Sequence, residues 1–457
     1  MPGINLGSPL AGLVLANGQL YGTATGLSTG GLFWCYTNGS GAEEAHSFGN
    51  LNFLANTNSD GANSEASLVL SGNTLYGTAY SGGTNGYGTL FTINTDGSGF
   101  ATLCDLNNTD GNPPVGLTVS GNTLYGTDTP QEGAGVGTIF SLNLNGTGFT
   151  NLCSYSSDLR PDGNLIVSGN TLYGTTKEGG SSFTDLGAVF AVNTDGTDFT
   201  NLYSFNYGPG FGIEPAGGLV LNGNALYGTT EYGDGNYGTV YAINTDGTDF
   251  TNIFYFGGTN GSEPVGNMVL SGNTLYGVTE SDANRNCGTI FAVNTDGSGF
   301  TNLYNFSGYD GANPQGNLVL CGGTLYGTTT SGGSGGYGTV FALNTNGTCF
   351  TTLYNFSGAG DGATPYDGLV LSGNTLYGTT SSGGSNGNGT VFALSLGAIP
   401  LNVQPDGGNV ILTWGNPVFS LQAAPAVNGP YVTIPDAASP YTNTISASQQ
   451  FFRLQTE

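Results

Sequence analysis

The chain has 457 residues, 83 of them Gly, and only 7% are charged. Lys177, Arg160, Arg285 and Arg453 are its sole basic side chains against 30 acidic ones, giving a net charge of -26. That balance excludes nucleic acid and anionic membrane surfaces as partners, because both require clustered Lys and Arg.

No apolar run approaches the ~20 residues of a membrane span, so no membrane insertion is expected. The opening residues, MPGINLGSPL, lack the positive start and apolar centre of a signal peptide. A charge-poor Asn/Thr/Ser/Gly surface, with four basic residues for trypsin-like proteases to find, nevertheless points to an extracellular or cell-surface location. A leader is then expected ahead of this numbering.

From about residue 9 the chain repeats. The motif Leu-Tyr-Gly places tyrosines at Tyr21, Tyr76, Tyr125, Tyr173, Tyr227, Tyr276, Tyr326 and Tyr377, in steps of 48 to 55 residues, and eight copies run to about residue 396. The first copy is the least regular: its third segment reads Gly31-Leu32-Phe33-Trp34-Cys35-Tyr36, and its fourth holds the only histidine, His46. Copies two to seven are close relatives, and the seventh is representative. It predicts strands at 318–320, 324–329, 339–343 and 350–356, apolar and small residues alternating between clusters of turn formers. Asn-Thr-Asp-Gly or Asn-Thr-Asn-Gly closes most third segments, and Asp-Gly readily takes the positive φ angles of a hairpin.

Four antiparallel strands in about 50 residues, eight times over, predict an all-β fold: an eight-bladed β-propeller of four-stranded antiparallel blades over residues 1–397. A parallel β-helix is the alternative. The Leu-Tyr-Gly residues are read as inter-blade core, the glycine allowing close approach between packed strands.

The eighth copy supplies three segments, ending at Thr390-Val391-Phe392-Ala393-Leu394, and has no counterpart of FTNLYNF. Aligning Pro9 on Pro314 leaves no residues ahead of Met1 for a completing strand. The remaining donors are residues 1–6 by a tighter crossing (Ile4, Leu6), residues 399–404 (Leu401, Val403), or a strand from another molecule. An open edge in so β-rich a chain is a template for strand addition, so a homo-oligomer or filament is expected. From about residue 398 the pattern changes to short strands around Trp414, which predict a small β-sandwich, loosely fibronectin III-like, over 398–457.

Six cysteines lie in different copies without a CxxC, and are read as isolated thiols. Triad and His-metal chemistry would depend on His46 alone, so no enzyme is expected. Most carboxylates sit in hairpin turns, where turn formation is sufficient reason for them. Asp60, Asp110, Asp310 and Asp361 recur on connections at one blade face and are weak Ca²⁺ candidates; no other metal or cofactor is expected. Tyr87, Tyr237 and Tyr337 on Gly-rich loops offer platforms for a glycan.

The units LVLSGNTLYGTTSSGG, GTVFALNTDGT and FTNLYNF resemble the GloVer-type tandem repeat of secreted bacterial proteins, the choice-of-anchor repeat proteins, over about 85% of the chain. The ending GPYVTIP...SPYTNTISASQQFFRLQ resembles the C-terminal β-modules that accompany them. The resemblance implies export and a propeller, and carries no catalytic residues. Two functions follow: a structural or adhesive propeller that assembles into a fibre or surface layer, by strand complementation of the last blade, or a glycan-binding propeller.

Overall fold

The computed structural model describes residues 7–456 apart from 27–28, 39, 53–54, 108–113, 129–136, 155–159, 181–185, 207–211, 234–236, 283–284, 397–401, 407–408, 414–418, 435–440 and 445–449. Every regular element among the described residues is a strand. No helix among them is long and apolar enough to cross a membrane.

Each copy of the repeat folds into its own antiparallel sheet, with strands hydrogen-bonded in chain order. Among the described residues seven sheets have four strands, and the next, built from Val370–Ser372, Thr375–Thr380 and Thr390–Ser395, has three. Sheet 7 shows the common register: Leu325 faces Leu343 and Gly327 faces Phe341, and the ladder slips between Val340 and Phe341 where the fourth strand, Thr351–Asn355, begins to pair. The glycine of Leu-Tyr-Gly has a more local cause than close strand approach. A Cβ on Gly327 would lie 2.5 Å from Cζ of Phe341, and the seven sister glycines meet a Phe or Tyr of the third strand in the same way. The glycine makes room for a ring on the neighbouring strand of its own sheet.

The hairpin turns also differ from expectation in detail. Gly97, Gly196 and Gly247 take positive φ, whereas the preceding aspartates do not. Each aspartate instead accepts from the backbone N–H and hydroxyl two residues on, as Asp96 does from Ser98 at 2.9 and 2.5 Å. This is the local cap that favours Asp in turns.

Both faces of a sheet in this pattern are apolar, so each must be covered by a neighbour. The core accordingly lies between sheets. One cluster joins Tyr276 and Ile290 of sheet 6 to Leu325 and Phe341 of sheet 7; equivalent clusters join each consecutive pair. The last joins Tyr377 and Val391 of sheet 8 to Leu13, Leu20 and Phe33 of sheet 1. Hydrogen bonds repeat the theme. Thr118 Oγ1 donates to the Leu165 carbonyl at 2.8 Å, and Thr379 Oγ1 donates to the Ala11 carbonyl at 3.4 Å, from the eighth sheet back to the first. Tyr377 Oη likewise donates to the Thr37 carbonyl at 3.0 Å. The molecule is a β-propeller of repeated antiparallel sheets.

Beyond it, two three-stranded sheets follow: Asn402–Asp406, Asn409–Thr413 and Tyr441–Thr444; and Val432–Thr433, Phe419–Ala424 and Phe451–Thr456. They share one cluster, Leu412 and Leu421 with Ile434, Tyr441, Phe452 and Leu454. Trp414 lies outside the described residues.

Candidate functional site

The fourth strand of each sheet does more than extend the ladder. A Phe just before it lies on the third-strand ring of its own sheet and against the fourth strand of the preceding sheet. Phe350 stacks on Tyr304 with centroids 3.5 Å apart and planes 5° from parallel. Phe300 stacks on Phe254, Phe250 on Tyr203 and Phe100 on His46, each at 3.4 Å. Cys104 and Cys153 stand at the same place beside Phe149 and Phe199. In the same row, among the described residues, Tyr354 of sheet 7 receives no ring from sheet 8, and sheet 1 presents Ala42 where its sisters present Phe.

Without a fourth strand, Thr390–Ser395 has a strand neighbour on one side only among the described residues. Its Phe392 is half-buried and Ala393 exposed, whereas Phe341 of sheet 7 is fully buried. Val403 does not complete this edge. Its strand, Asn402–Asp406, pairs instead with Asn409–Thr413 at the edge of a C-terminal sheet, Val403 facing Leu412. Ile4, Leu6 and Leu401 lie outside the described residues.

Three of the four calcium candidates, Asp60, Asp310 and Asp361, fasten loops. Asp60 accepts from His46 Nε2 at 2.8 Å and from the Gly49 N–H; Asp310 accepts from Tyr304 Oη at 2.5 Å and the Ser307 N–H at 2.8 Å; Asp361 accepts from Tyr354 Oη and the Ser357 N–H. These bonds tie the fourth strand to the connection leaving it. Burial and the Asp310 carboxylate push the Tyr304 phenol above its usual range. Asp110 is not described, and no three His, Cys, Asp or Glu among the described residues converge as a metal-binding group. His46, stacked on Phe100 and paired with Asp60, takes part in this packing system.

The glycan candidates are not brought together. Tyr87, Tyr237 and Tyr337 belong to sheets 2, 5 and 7, and no ring contact among the described residues joins them. Tyr87 and Tyr337 are exposed, the Tyr337 ring covering Gly358, while Tyr237 packs beside the cluster between sheets 5 and 6. The six cysteines are free thiols, and burial pushes Cys35, Cys153, Cys287 and Cys321 up from the ordinary value.

One concave feature escaped the sequence reading. Trp34 and Tyr36 stand where sister copies carry Thr, Ser or Ala and then Asn or Ser, and they line a cavity with residues of sheet 2. The departure of copy one from the repeat is the signal that marks it.

Residues 8–182, 155–325 and 317–404 match the model of the Gloeobacter/Verrucomicrobia repeat. No curated protein matches the sequence. Among solved structures the chain is similar to a puromycin-hydrolyzing peptidase of Mycobacterium tuberculosis, with 11% identity, 82% of this chain and 59% of that one covered, and a TM-score of 0.48. It is also similar to the oligogalacturonate lyase of Vibrio parahaemolyticus, with 10% identity, coverages of 84% and 98%, and a TM-score of 0.47. For a nidogen/laminin complex the values are 15%, 64%, 91% and 0.35. None of these likenesses bears on activity. With the family model matching nearly the whole repeat region, the chain belongs to the Gloeobacter/Verrucomicrobia repeat family.

Proposed function

We propose that this is a non-catalytic, exported structural propeller of eight blades, residues 1–397, carrying a small β-sandwich at 398–457, and that it joins copies of itself through the open edge of its eighth blade. Eight tandem copies and the contacts from sheet 8 back to sheet 1 support the blade number. The single observation that carries assembly is the edge of Thr390–Ser395. It offers backbone, a half-buried Phe392 and the uncovered face of Tyr354 at the place where sister blades receive a strand led by Phe. A second copy of this chain is the occupant, since the nearest following strand, Asn402–Asp406, is already paired elsewhere. Strand addition supplies main-chain hydrogen bonds, and the ring sites supply specificity.

Sedimentation and negative-stain microscopy of the full chain test this. Oligomers or fibres that Ala393→Lys disperses, by placing a charge on the edge, are the expected result. A monomer at all concentrations overturns assembly. If deletion of residues 1–8 turns that monomer into an oligomer, those residues cover the edge in the same molecule. An assembly untouched by Ala393→Lys places the contact elsewhere and overturns the edge as its site.

A further inference from the structure

The first copy breaks the repeat at one place on the opposite side of the third strand from the ring row. In sheets 2 to 8 the residue after the third-strand Phe or Tyr is Thr92, Ser141 or Ala, and two positions on it is Asn94 or its counterpart. Sheet 1 carries Trp34 and Tyr36 instead. Residues two apart on a strand share a face, and here that face looks toward sheet 2. The indole packs against the buried cluster between sheets 1 and 2. A Cβ added to Gly97, in the hairpin turn of sheet 2, would lie 3.3 Å from Trp34 Nε1. Tyr36 meets Trp34 edge to face, with centroids 5.2 Å apart and planes at 86°, and leaves 45% of its surface to solvent.

Around these two rings the walls are amides. Asn17, Gln19, Asn73 and Asn94, with Thr95 and Asp96, complete a cavity of about 540 Å³, inside the roughly 300–1,000 Å³ of small-ligand sites. The walls are held in place by the two sheets. Tyr21 Oη lies 2.5 Å from the Gln19 side-chain amide and also reaches the Thr95 carbonyl, and Asn17 Nδ2 donates to Thr95 Oγ1 at 3.3 Å. Among the described residues the side-chain amide of Asn73 has no protein partner. Asp96 is the one ionised group. Hydrogen bonds from the Ser98 hydroxyl and backbone hold its carboxyl below the usual range.

We propose that this cavity binds a neutral saccharide. A pyranose has an apolar C–H face that covers an indole or phenol ring, and a rim of hydroxyls that both donate and accept. Trp34 and Tyr36 supply rings set at right angles, and amides with one carboxylate supply both kinds of hydrogen-bond partner. Phosphorylated or uronic-acid ligands are disfavoured, since no Lys or Arg lines the cavity and Asp96 repels them. The site stands apart from the Gly-rich loops of Tyr87, Tyr237 and Tyr337, and does not depend on the edge of sheet 8.

The test is titration calorimetry of the full chain against neutral cello-, xylo-, manno-, malto- and chito-oligosaccharides, with a tri-uronate as the charged comparison. Binding of at least one neutral member is expected, and the uronate is expected not to bind. Tyr36→Asn, which installs the sister residue at an exposed position, is expected to weaken that binding at least tenfold while leaving the unfolding midpoint unchanged. Trp34→Ala is expected to weaken it further. Should that variant fold poorly, the indole fluorescence of a Trp414→Phe chain reads ligand contact at Trp34 directly. No binding across the panel overturns the site. So does binding that Tyr36→Asn leaves intact, or that leaves Trp34 fluorescence unmoved.

Discussion

Sheets 7 and 8 begin with the same sequence and end differently, and the difference isolates what a fourth strand does. Both have the Val-Leu first strand, the Leu-Tyr-Gly second strand and the Thr-Val-Phe-Ala-Leu third strand. In sheet 7 the strand Thr351–Asn355 and the preceding Phe350 cover the third strand, and Phe341 becomes inaccessible. In sheet 8 nothing among the described residues does so, and every residue of Thr390–Ser395 keeps some contact with solvent. Toward the first strands the two sheets are alike, because sheet 8 meets sheet 1 through the same kinds of contact that sheet 6 makes with sheet 7. Among the described residues the last sheet is closed on its inner side and open on its outer one.

The sharpest way to break this comparison is to truncate the same ring twice. Phe341→Ala empties a fully buried site and is expected to cost about 3–5 kcal/mol. Phe392→Ala removes a half-buried ring, still touching Phe356 at 5.1 Å, and is expected to cost about half as much, since part of its surface is already in water. Urea unfolding of the two variants reads the difference. Equal costs would mean that the edge of sheet 8 is covered in solution, by residues 1–6 or by a neighbour.

A smaller effect comes from the ring row itself. Tyr304 and Tyr354 make the same edge-on contact with a following Phe and the same bond to a loop Asp; only Tyr304 has a ring stacked on its face. Tyr304→Ala is therefore expected to destabilise by roughly 0.5–1.5 kcal/mol more than Tyr354→Ala, the worth of an aromatic pair. If the two variants lose the same stability, the stack adds nothing beyond burial.

Much of this was legible in the repeat. Spacing gave the strands, and the absent FTNLYNF in copy eight marked Thr390–Ser395 as the strand with one neighbour among the described residues. What period and turn signals hide is contact across sheets. The Phe before each fourth strand reads as a strand residue, but its partner lies about fifty residues away in the previous copy, as Phe350 does from Tyr304. The loop aspartates illustrate the converse: recurrence of Asp60, Asp310 and Asp361 at one face resembles a ligand set, whereas each is used by the Tyr or His of its own sheet. Val403 misled because a short apolar strand next to an open edge looks like its complement. Only the pairing with Asn409–Thr413 assigns it elsewhere. Trp34 and Tyr36 were visible as departures from the repeat, but a departure names a site only when a cavity faces it.

The inner side of the seam offers the gentlest probe. Asp367, at the start of sheet 8, stands where six sister copies have Gly or Ala, and its carboxylate approaches the position of a Cβ on Gly12 in sheet 1 to 3.2 Å. Burial raises its pKa, and the Gly368 and Gly12 N–H groups offset this only in part. An acid whose folded-state pKa is raised favours folding most when protonated. That contribution is fully present below the ordinary carboxylate pKa and is lost as pH rises through the higher folded value. Asp367→Asn keeps the shape and removes the charge, so it is expected to raise the melting temperature at pH 7 and to leave it nearly unchanged at pH 3. A variant that melts lower at pH 7 would show that the charge itself, through the Gly12 amide, holds sheet 8 to sheet 1. The closed inner side would then draw on a charge-assisted hydrogen bond as well as on the apolar cluster around Tyr377.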